Sequence, residues 1–248
     1  MKFTAIIPAR YGSSRFPGKP LAVLGDRPMI QHVYEKAKAC SSLSEVIVAT
    51  DDERILSCVE GFGGMAMMTS KLHPSGTDRV AEVAATLSNT DVVINIQGDE
   101  PFVQVEQLEQ LCGLFTNSAV QIATLAHPIA EEDFIHDPNV VKVVFSEQGR
   151  ALYFSRSPIP YLRDVSIGEW YQHKAHFQHL GLYAYRTSVL LELTQLPPSV
   201  LEQGESLEQL RWLQAGYGIY LCVTMHKSIG IDTVEDLRRG EAFLEAGH

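Results

Sequence analysis

The sequence predicts an α/β protein with a mostly parallel central sheet flanked by helices. Two observations predict it. Short apolar runs alternate with segments of helical period through the first half of the chain. The run at 91–96, DVVINI, is nearly continuously apolar, as a strand buried on both faces is. Size agrees: 248 residues, 45% hydrophobic and 20% charged, are ordinary globular composition, long enough to bury a core without covalent staples.

The elements follow in order. Residues 3–7 form a short apolar run ending at Pro8 and read as a buried strand. A loop rich in Gly, Ser, Pro and basic residues occupies 9–20. Residues 29–39 have helical spacing, with Ile30, Val33, Tyr34 and Ala37 on one face. A strand at 45–50 leads to a helix at 52–61, capped by Asp51 or Asp52. Then come a short strand at 65–68, a helix at 77–87, the strand at 91–96 and a helix at 105–115. This alternation argues for a parallel sheet covered on both faces. The second half breaks the rhythm, with strands expected at 140–145, 151–155 and 179–185. Residues 158–174, with two prolines and mixed polarity, read as an excursion from the sheet. A helix at 205–215, a strand at 218–223 and a helix at 234–246 close the chain. With no internal repeat or long linker, the simplest organisation is a single domain over 1–248 with an inserted subregion at about 150–185.

Charge and cysteines exclude several classes. A net charge of −10 argues against broad nucleic-acid binding. Cys40, Cys58, Cys112 and Cys222 make no CxxC pair, which argues against a zinc ribbon or redox motif and fits reduced thiols. The first apolar run is too short for a signal-peptide core, and none is long enough to span a bilayer. The expectation is a soluble, cytoplasmic protein. His173, His176 and His179 recur every third residue, but neither helix nor strand geometry gathers all three around one ion. Met65, Met67 and Met68 read as core filler.

The chemistry concentrates in two places. The loop RYGSSRFPGKP at 10–20 follows the first strand, and in open α/β sheets ligands sit beyond the carboxyl ends of the strands. Gly12 and Gly18 let the backbone approach a ligand, Ser13 and Ser14 can donate, and Arg10, Arg15 and Lys19 bring three positive charges. That set suits a polyphosphate; the other reading is a solvated basic turn. It is not a Walker A loop, because Gly12 to Gly18 is one residue too long and Pro20 replaces the hydroxyl, and GxGxxG is absent. The second place is acidic. Asp99, in QGDEP, follows the most apolar strand and faces the same crevice. A hard oxygen ligand there suits magnesium. Asp232, in GIDT, lies before the last helix and reads either as its cap or as a second metal ligand.

These segments together resemble the CMP-Kdo synthetases, the 3-deoxy-manno-octulosonate cytidylyltransferases. The resemblance is carried by IIPARYGSSRFPGKPL at the start, MIQHVYEKA at 29–37, VATDDERI at 48–55 and SGTDR at 75–79. It continues through NIQGDEP at 95–101, ALYFSRSPIPY at 151–161, HLGLYAYR at 179–186 and ESLEQLR at 205–211. The matches run almost from end to end in the expected order.

The resemblance implies a nucleotidyltransferase fold of the glycosyltransferase-A-like kind, usually a homodimer, that uses CTP, magnesium and Kdo to make CMP-Kdo for lipopolysaccharide synthesis. It implies that Arg10, Ser13, Arg15 and Lys19 hold the CTP triphosphate, with Arg15 and Lys19 stabilising the leaving group. Ser75, Gly76 and Asp78 would lie beside cytosine and ribose, and Asp99 and Asp232 would bind Mg2+. Gln97, Arg156, His179, Tyr183 and Glu208 would line the sugar site, with Arg156 a partner for the sugar carboxylate. Residues 158–174 would contribute to the dimer contact; here the sequence departs most from the family pattern. Two other readings stand beside this one: a cytidylyltransferase for 8-amino-Kdo or sialic acid, and a non-catalytic nucleotide-sensing module. Keeping both Asp99 and Asp232 argues against the sensor.

Overall fold

The computed structural model describes residues 1–12, 16–227 and 230–245, apart from the side chains of Asp133 and Glu245. In chain order the elements are β1 (Phe3–Ala9), β2 (Val23–Leu24), β3 (Arg27–Pro28), α1 (Met29–Lys38), β4 (Leu43–Thr50), α2 (Glu53–Gly61) and β5 (Ala66–Met68). There follow α3 (Gly76–Thr86), β6 (Val92–Asn95), α4 (Val105–Leu114), β7 (Ile122–Pro128), α5 (Glu132–His136), β8 (Lys142–Phe145) and β9 (Ala151–Ser155). Last come β10 (Phe177–Arg186), α6 (Thr187–Leu193), α7 (Val200–Glu205), α8 (Gln209–Gln214), β11 (Ile219–Val223) and α9 (Val234–Glu245). Short 3-10 segments occupy Lys19–Leu21 and Ile167–His173. The chain divides into two compact units.

The first unit comprises Met1–Glu109, Arg186–Thr194 and Ser228–His248. Its sheet runs β5-β4-β1-β6 and every pairing is parallel. Ile6 in β1 faces Ile47 in β4 and Asn95 in β6. Ala5, Ile6 and Ile7 are all fully buried, so successive residues on both faces of β1 are covered. That is why β1 and β6 read as largely apolar runs without alternation. Helix α1 buries Met29, Ile30, Val33, Tyr34 and Ala37, the stripe that a 3.6-residue period predicts. Asp52 caps α2 by accepting from the Arg54 N–H at 3.0 Å.

A satellite core is formed by Leu24, Met29, Phe102 and Ile231, with Phe16, Leu237 and Phe243 packed against it. Full burial of a side chain of this size contributes about 1.5–3 kcal/mol. The cluster therefore fixes Phe16, Phe102 and Ile231, and with them the three segments that carry Lys19, Asp99 and Asp232.

The second unit comprises Gln110–Tyr185 and Gln195–Lys227. Here β7 pairs in parallel with β11 and antiparallel with β10, and β8 pairs antiparallel with both β10 and β9. Strand β7 is not among the elements expected from the sequence, although IATLAHP is mostly apolar and buried over all but its last residue. Nor are the small β2–β3 hairpin, α5 and α6. The helix expected at 205–215 is two helices. Ser199 and Glu202 form a capping box that starts α7, and Ser206, at φ 51, ends it before α8. The methionine reading also needs correction. Met65, just before the edge strand β5, and Met68, at its end, are 50% and 42% exposed and so do not fill the core. The segment at 158–174 adds no strand; it contributes the 3-10 turn whose buried Trp170 packs on Ile129 and Ile135.

Candidate active site

The first unit has a cavity at the carboxyl ends of β1 and β6. Pro8, Ala9, Arg10, Lys19 and Pro20 line one side, and Gln97, Gly98, Asp99 and Asp232 a second. His73, Pro74, Ser75, Gly76 and Arg79 complete it. Gly98 is required by close approach: a Cβ there would stand 2.9 Å from the Pro8 carbonyl oxygen.

At its centre the Lys19 Nζ donates to Asp99 Oδ2 at 2.5 Å and to Asp232 Oδ1 at 3.1 Å. These residues are 80 and 213 positions apart in sequence. Local geometry brings them together. The Gly18 N–H donates to the Tyr11 carbonyl at 2.9 Å and closes the loop, and Gly18 at φ 72 turns the chain into the 3-10 segment that starts with Lys19. The Ile231 N–H donates to the Asp99 carbonyl at 2.8 Å, tying the two acidic segments side by side. Asp232 is not the cap of α9. Thr233 is: its Oγ1 accepts from the Asp236 N–H at 3.1 Å, and Asp236 Oδ2 accepts in return from the Thr233 N–H at 2.9 Å. Burial pushes the Asp236 carboxyl up, but the hydrogen bonds from Arg239 and Thr233 outweigh it and leave the carboxyl below its ordinary range. With the cap supplied by Thr233 and Asp236, the Asp232 carboxylate turns to Lys19.

The third side comes from the turn before α3. Ser75 Oγ accepts from the Asp78 N–H at 3.1 Å and donates to the Asp78 carboxylate at 2.6 Å. Gln97 Nε2 donates to Asn95 Oδ1 at 3.0 Å. Arg79 is buried and anchored by Asp51, at 2.8 Å, and by Thr69 Oγ1.

Of the residues named from the sequence, Arg10, Lys19, Ser75, Gly76, Gln97, Asp99 and Asp232 line this cavity. Asp78 turns to Ser75 instead and is not among the lining residues. Ser13 and Arg15 lie outside the described residues. His73 and Arg79 line the cavity but were not named. The signal for Arg79 was its place four residues after Ser75, one helical turn on.

Arg156, His179, Tyr183 and Glu208 belong to the second unit. The His179 ring sits edge-on to Phe154 at 4.9 Å and 5.3 Å from Tyr183, and its Nε2 meets Thr124 Oγ1 at 3.1 Å. Desolvation pulls its imidazole down to about 3, so the ring is neutral at ordinary pH. Burial, reinforced by the Glu208 charge, pushes the Tyr183 phenol well up. Glu208 also accepts from Arg211 at 2.9 Å. The Arg156 guanidinium donates to the carbonyls of Glu205 at 2.7 Å, Pro138 at 2.8 Å and Ser206 at 3.4 Å. His176 stacks on Trp170 and its Nε2 meets the Pro160 carbonyl at 2.9 Å, so it turns away from His179. Among the described residues no three His, Cys, Asp or Glu side chains group to hold a metal; the cavity offers two carboxylates. Among the same residues, no helix is long and apolar enough to cross a membrane.

Comparison with known proteins gives this geometry a family. The family model described as cytidylyltransferase matches residues 4–228. The 3-deoxy-manno-octulosonate cytidylyltransferase of Phocaeicola vulgatus is 53% identical over 99% of this chain and 98% of its own. That of Parabacteroides distasonis is 51% identical over 98% of each. Among solved structures, a CMP:2-keto-3-deoxy-manno-octonic acid synthetase complexed with CTP superposes with a TM-score of 0.93 at 45% identity, covering 100% of both chains. The α/β nucleotidyltransferase fold expected from the sequence is thus the fold observed, and the chain belongs to the cytidylyltransferase family, among the 3-deoxy-manno-octulosonate cytidylyltransferases.

Proposed function

We propose that this chain transfers CMP from CTP to the anomeric hydroxyl of Kdo, giving CMP-Kdo and pyrophosphate. The observation that carries the reading is the Lys19 ammonium bridging Asp99 and Asp232 in a cavity that also holds Arg10. Both substrates are anions, so their charge must be offset before they meet. The anomeric oxygen forms the new bond to the α-phosphorus, the bond to the β-phosphate oxygen breaks, and pyrophosphate leaves. Arg10, Ser13, Arg15 and Lys19 hold the triphosphate, and Arg15 and Lys19 offset charge developing on the leaving group. Ser75 and Gly76 border the nucleoside.

Magnesium is the proposed metal. Two hard carboxylate oxygens already converge on one cation, the Lys19 ammonium, and that donor chemistry fits a divalent ion shared with phosphates. When bound, it would neutralise and orient the polyphosphate. Gln97 is proposed to face the sugar. The second unit's His179, Tyr183, Glu208 and Arg156 are proposed as its sugar-reading element; the neutral His179 offers hydrogen bonding without a charge that titrates near neutrality. The working protein is proposed to be one nucleotidyltransferase domain, homodimeric through the region around 158–174 and cytoplasmic.

The test is pyrophosphate release with CTP, magnesium and Kdo, run beside 8-amino-Kdo and sialic acid. Release with Kdo alone is expected. Release with another sugar moves the substrate, and CTP binding without release from any sugar supports the sensor reading.

A further inference from the structure

His73 lines the cavity, yet none of the roles assigned above uses it. Its Nε2 is engaged with the Glu82 carboxylate, one short hydrogen bond away. Glu82 is fixed in turn, because its Oε2 accepts from the Ser70 N–H at 2.9 Å. Contact with His73 and Ser70 holds the Glu82 carboxyl below its usual range, so it is an ionised acceptor. An ionised acceptor requires the proton to sit on Nε2. The tautomer with its proton on Nε2 carries its lone pair on Nδ1, for which the described residues show no protein hydrogen-bond partner. A carboxylate that fixes a histidine's tautomer turns the ring's far nitrogen into a defined acceptor.

The neighbouring groups say what that acceptor meets. Lys19 and Arg10 supply the cavity's cationic side, where the phosphates bind in the reading above. The turn at 73–76 is different. Of the three cations that line the cavity, the one beside this turn, Arg79, is anchored by Asp51 and Thr69, and the first turn of α3 carries the Asp78 carboxylate. That side suits an uncharged hydrogen-bonding group, not a phosphate. A cytosine base presents an exocyclic amine, a donor; uracil presents a carbonyl oxygen in its place.

Resting on the cytidylyltransfer reading, we propose that His73, oriented by Glu82, is a specificity-determining residue that accepts from the cytosine amine and so selects CTP over UTP. Glu82 is a positioning residue: it acts through His73 and not on the nucleotide. A uracil oxygen against the Nδ1 lone pair would leave two acceptors facing each other, so selection works by rejecting UTP as much as by holding CTP.

The experiment compares kcat/KM for CTP and UTP, with Kdo saturating, in wild type, His73→Ala, His73→Asn and Glu82→Gln. Wild type should prefer CTP strongly. In His73→Ala the CTP-to-UTP ratio should fall roughly tenfold or more, the loss expected for one hydrogen bond plus relief of the UTP clash. Glu82→Gln, which keeps shape but lets the tautomer change, should lower the same ratio by a smaller factor and leave KM for Kdo unchanged. His73→Asn keeps a hydrogen-bonding side chain in a partly exposed position and guards against misfolding; circular dichroism checks all three variants. An unchanged ratio in folded His73→Ala and His73→Asn overturns the inference, as does equal loss for both nucleotides. Wild type that accepts UTP as well as CTP overturns it too and leaves the cytidylyltransfer reading standing. Wild type that turns over neither nucleotide removes the reading beneath it.

Discussion

The Arg54 guanidinium lies over the Tyr11 ring, 3.3 Å from its centroid. Asp52, the cap of α2, holds Arg54 with a pair of hydrogen bonds at 2.8 and 2.7 Å, so the cation is oriented before it meets the ring. Gly18 packs close to the same ring. A Cβ at Gly18 would come within 3.0 Å of it, at a φ of 72 that L side chains rarely adopt. Tyr11 is thereby held between α2 and the turn that delivers Lys19. Replacing Arg54 with Ala should raise KM for CTP roughly two- to fivefold, as expected for one exposed cation–π contact. Arg54→Lys should recover part of that loss. Gly18→Ala should cost about 1–2 kcal/mol of stability and raise KM for CTP further. Steady-state kinetics on the three variants check this, and unchanged KM in all of them would detach the stack from the loop.

Loss of either carboxylate around Lys19 should stop the chemistry without unfolding the protein. Asp99→Asn and Asp232→Asn are each expected to lower kcat on the order of a hundredfold or more, with thermal melts close to wild type. Pyrophosphate release reads the first and differential scanning fluorimetry the second. Near-wild-type turnover in Asp99→Asn would remove the metal assignment.

Stability should fall as the solution is acidified from neutral. The His179 and His176 imidazoles are both pushed below their ordinary value by burial. Below about pH 6.5 the unfolded chain takes up protons that the folded chain refuses. The stabilisation is therefore complete above that pH and is lost as pH drops toward about 3, where His179 itself titrates. The slope is at most about 1.4 kcal/mol per pH unit for each histidine. Urea midpoints between pH 7 and 4.5 would show it. His179→Gln should flatten the curve, and an identical slope in that variant would contradict the burial argument.

Lys142 is fully buried, and its Nζ donates to the carbonyls of Asp137 at 2.9 Å, Val140 at 2.6 Å and Arg156 at 2.6 Å. Desolvation lowers its pKa. Lys142→Met keeps the volume and removes all three donors. An unpaired buried carbonyl costs about 1–3 kcal/mol, so a loss of about 3 kcal/mol or more is expected in chemical denaturation. Because one of those carbonyls belongs to Arg156, KM for Kdo should rise more than KM for CTP. Unaltered stability would mean that water replaces the ammonium.

The sequence by itself determined the strand–helix alternation of the first unit and the two polar segments that flank its strands. Burial on both faces leaves unbroken apolar runs such as 92–94, and a 3.6-residue stripe marks α1; both are local signals. The loop at 10–20 and Asp99 were legible for the same reason, since each stands at a strand's end. Other features depended on the tertiary structure. Asp232 was undecided between cap and ligand until Thr233 and Asp236 closed the cap between themselves. His73 gave no signal, because its role depends on Glu82, nine residues away across a turn and a helix start. Strand β7 is not legible in the sequence because a largely apolar run declares burial but not its partners; β10 and β11 supply those from 49 or more residues downstream. Local periodicity is written in neighbouring residues. The meeting of Lys19 with Asp99 and Asp232 is decided by how the whole unit packs.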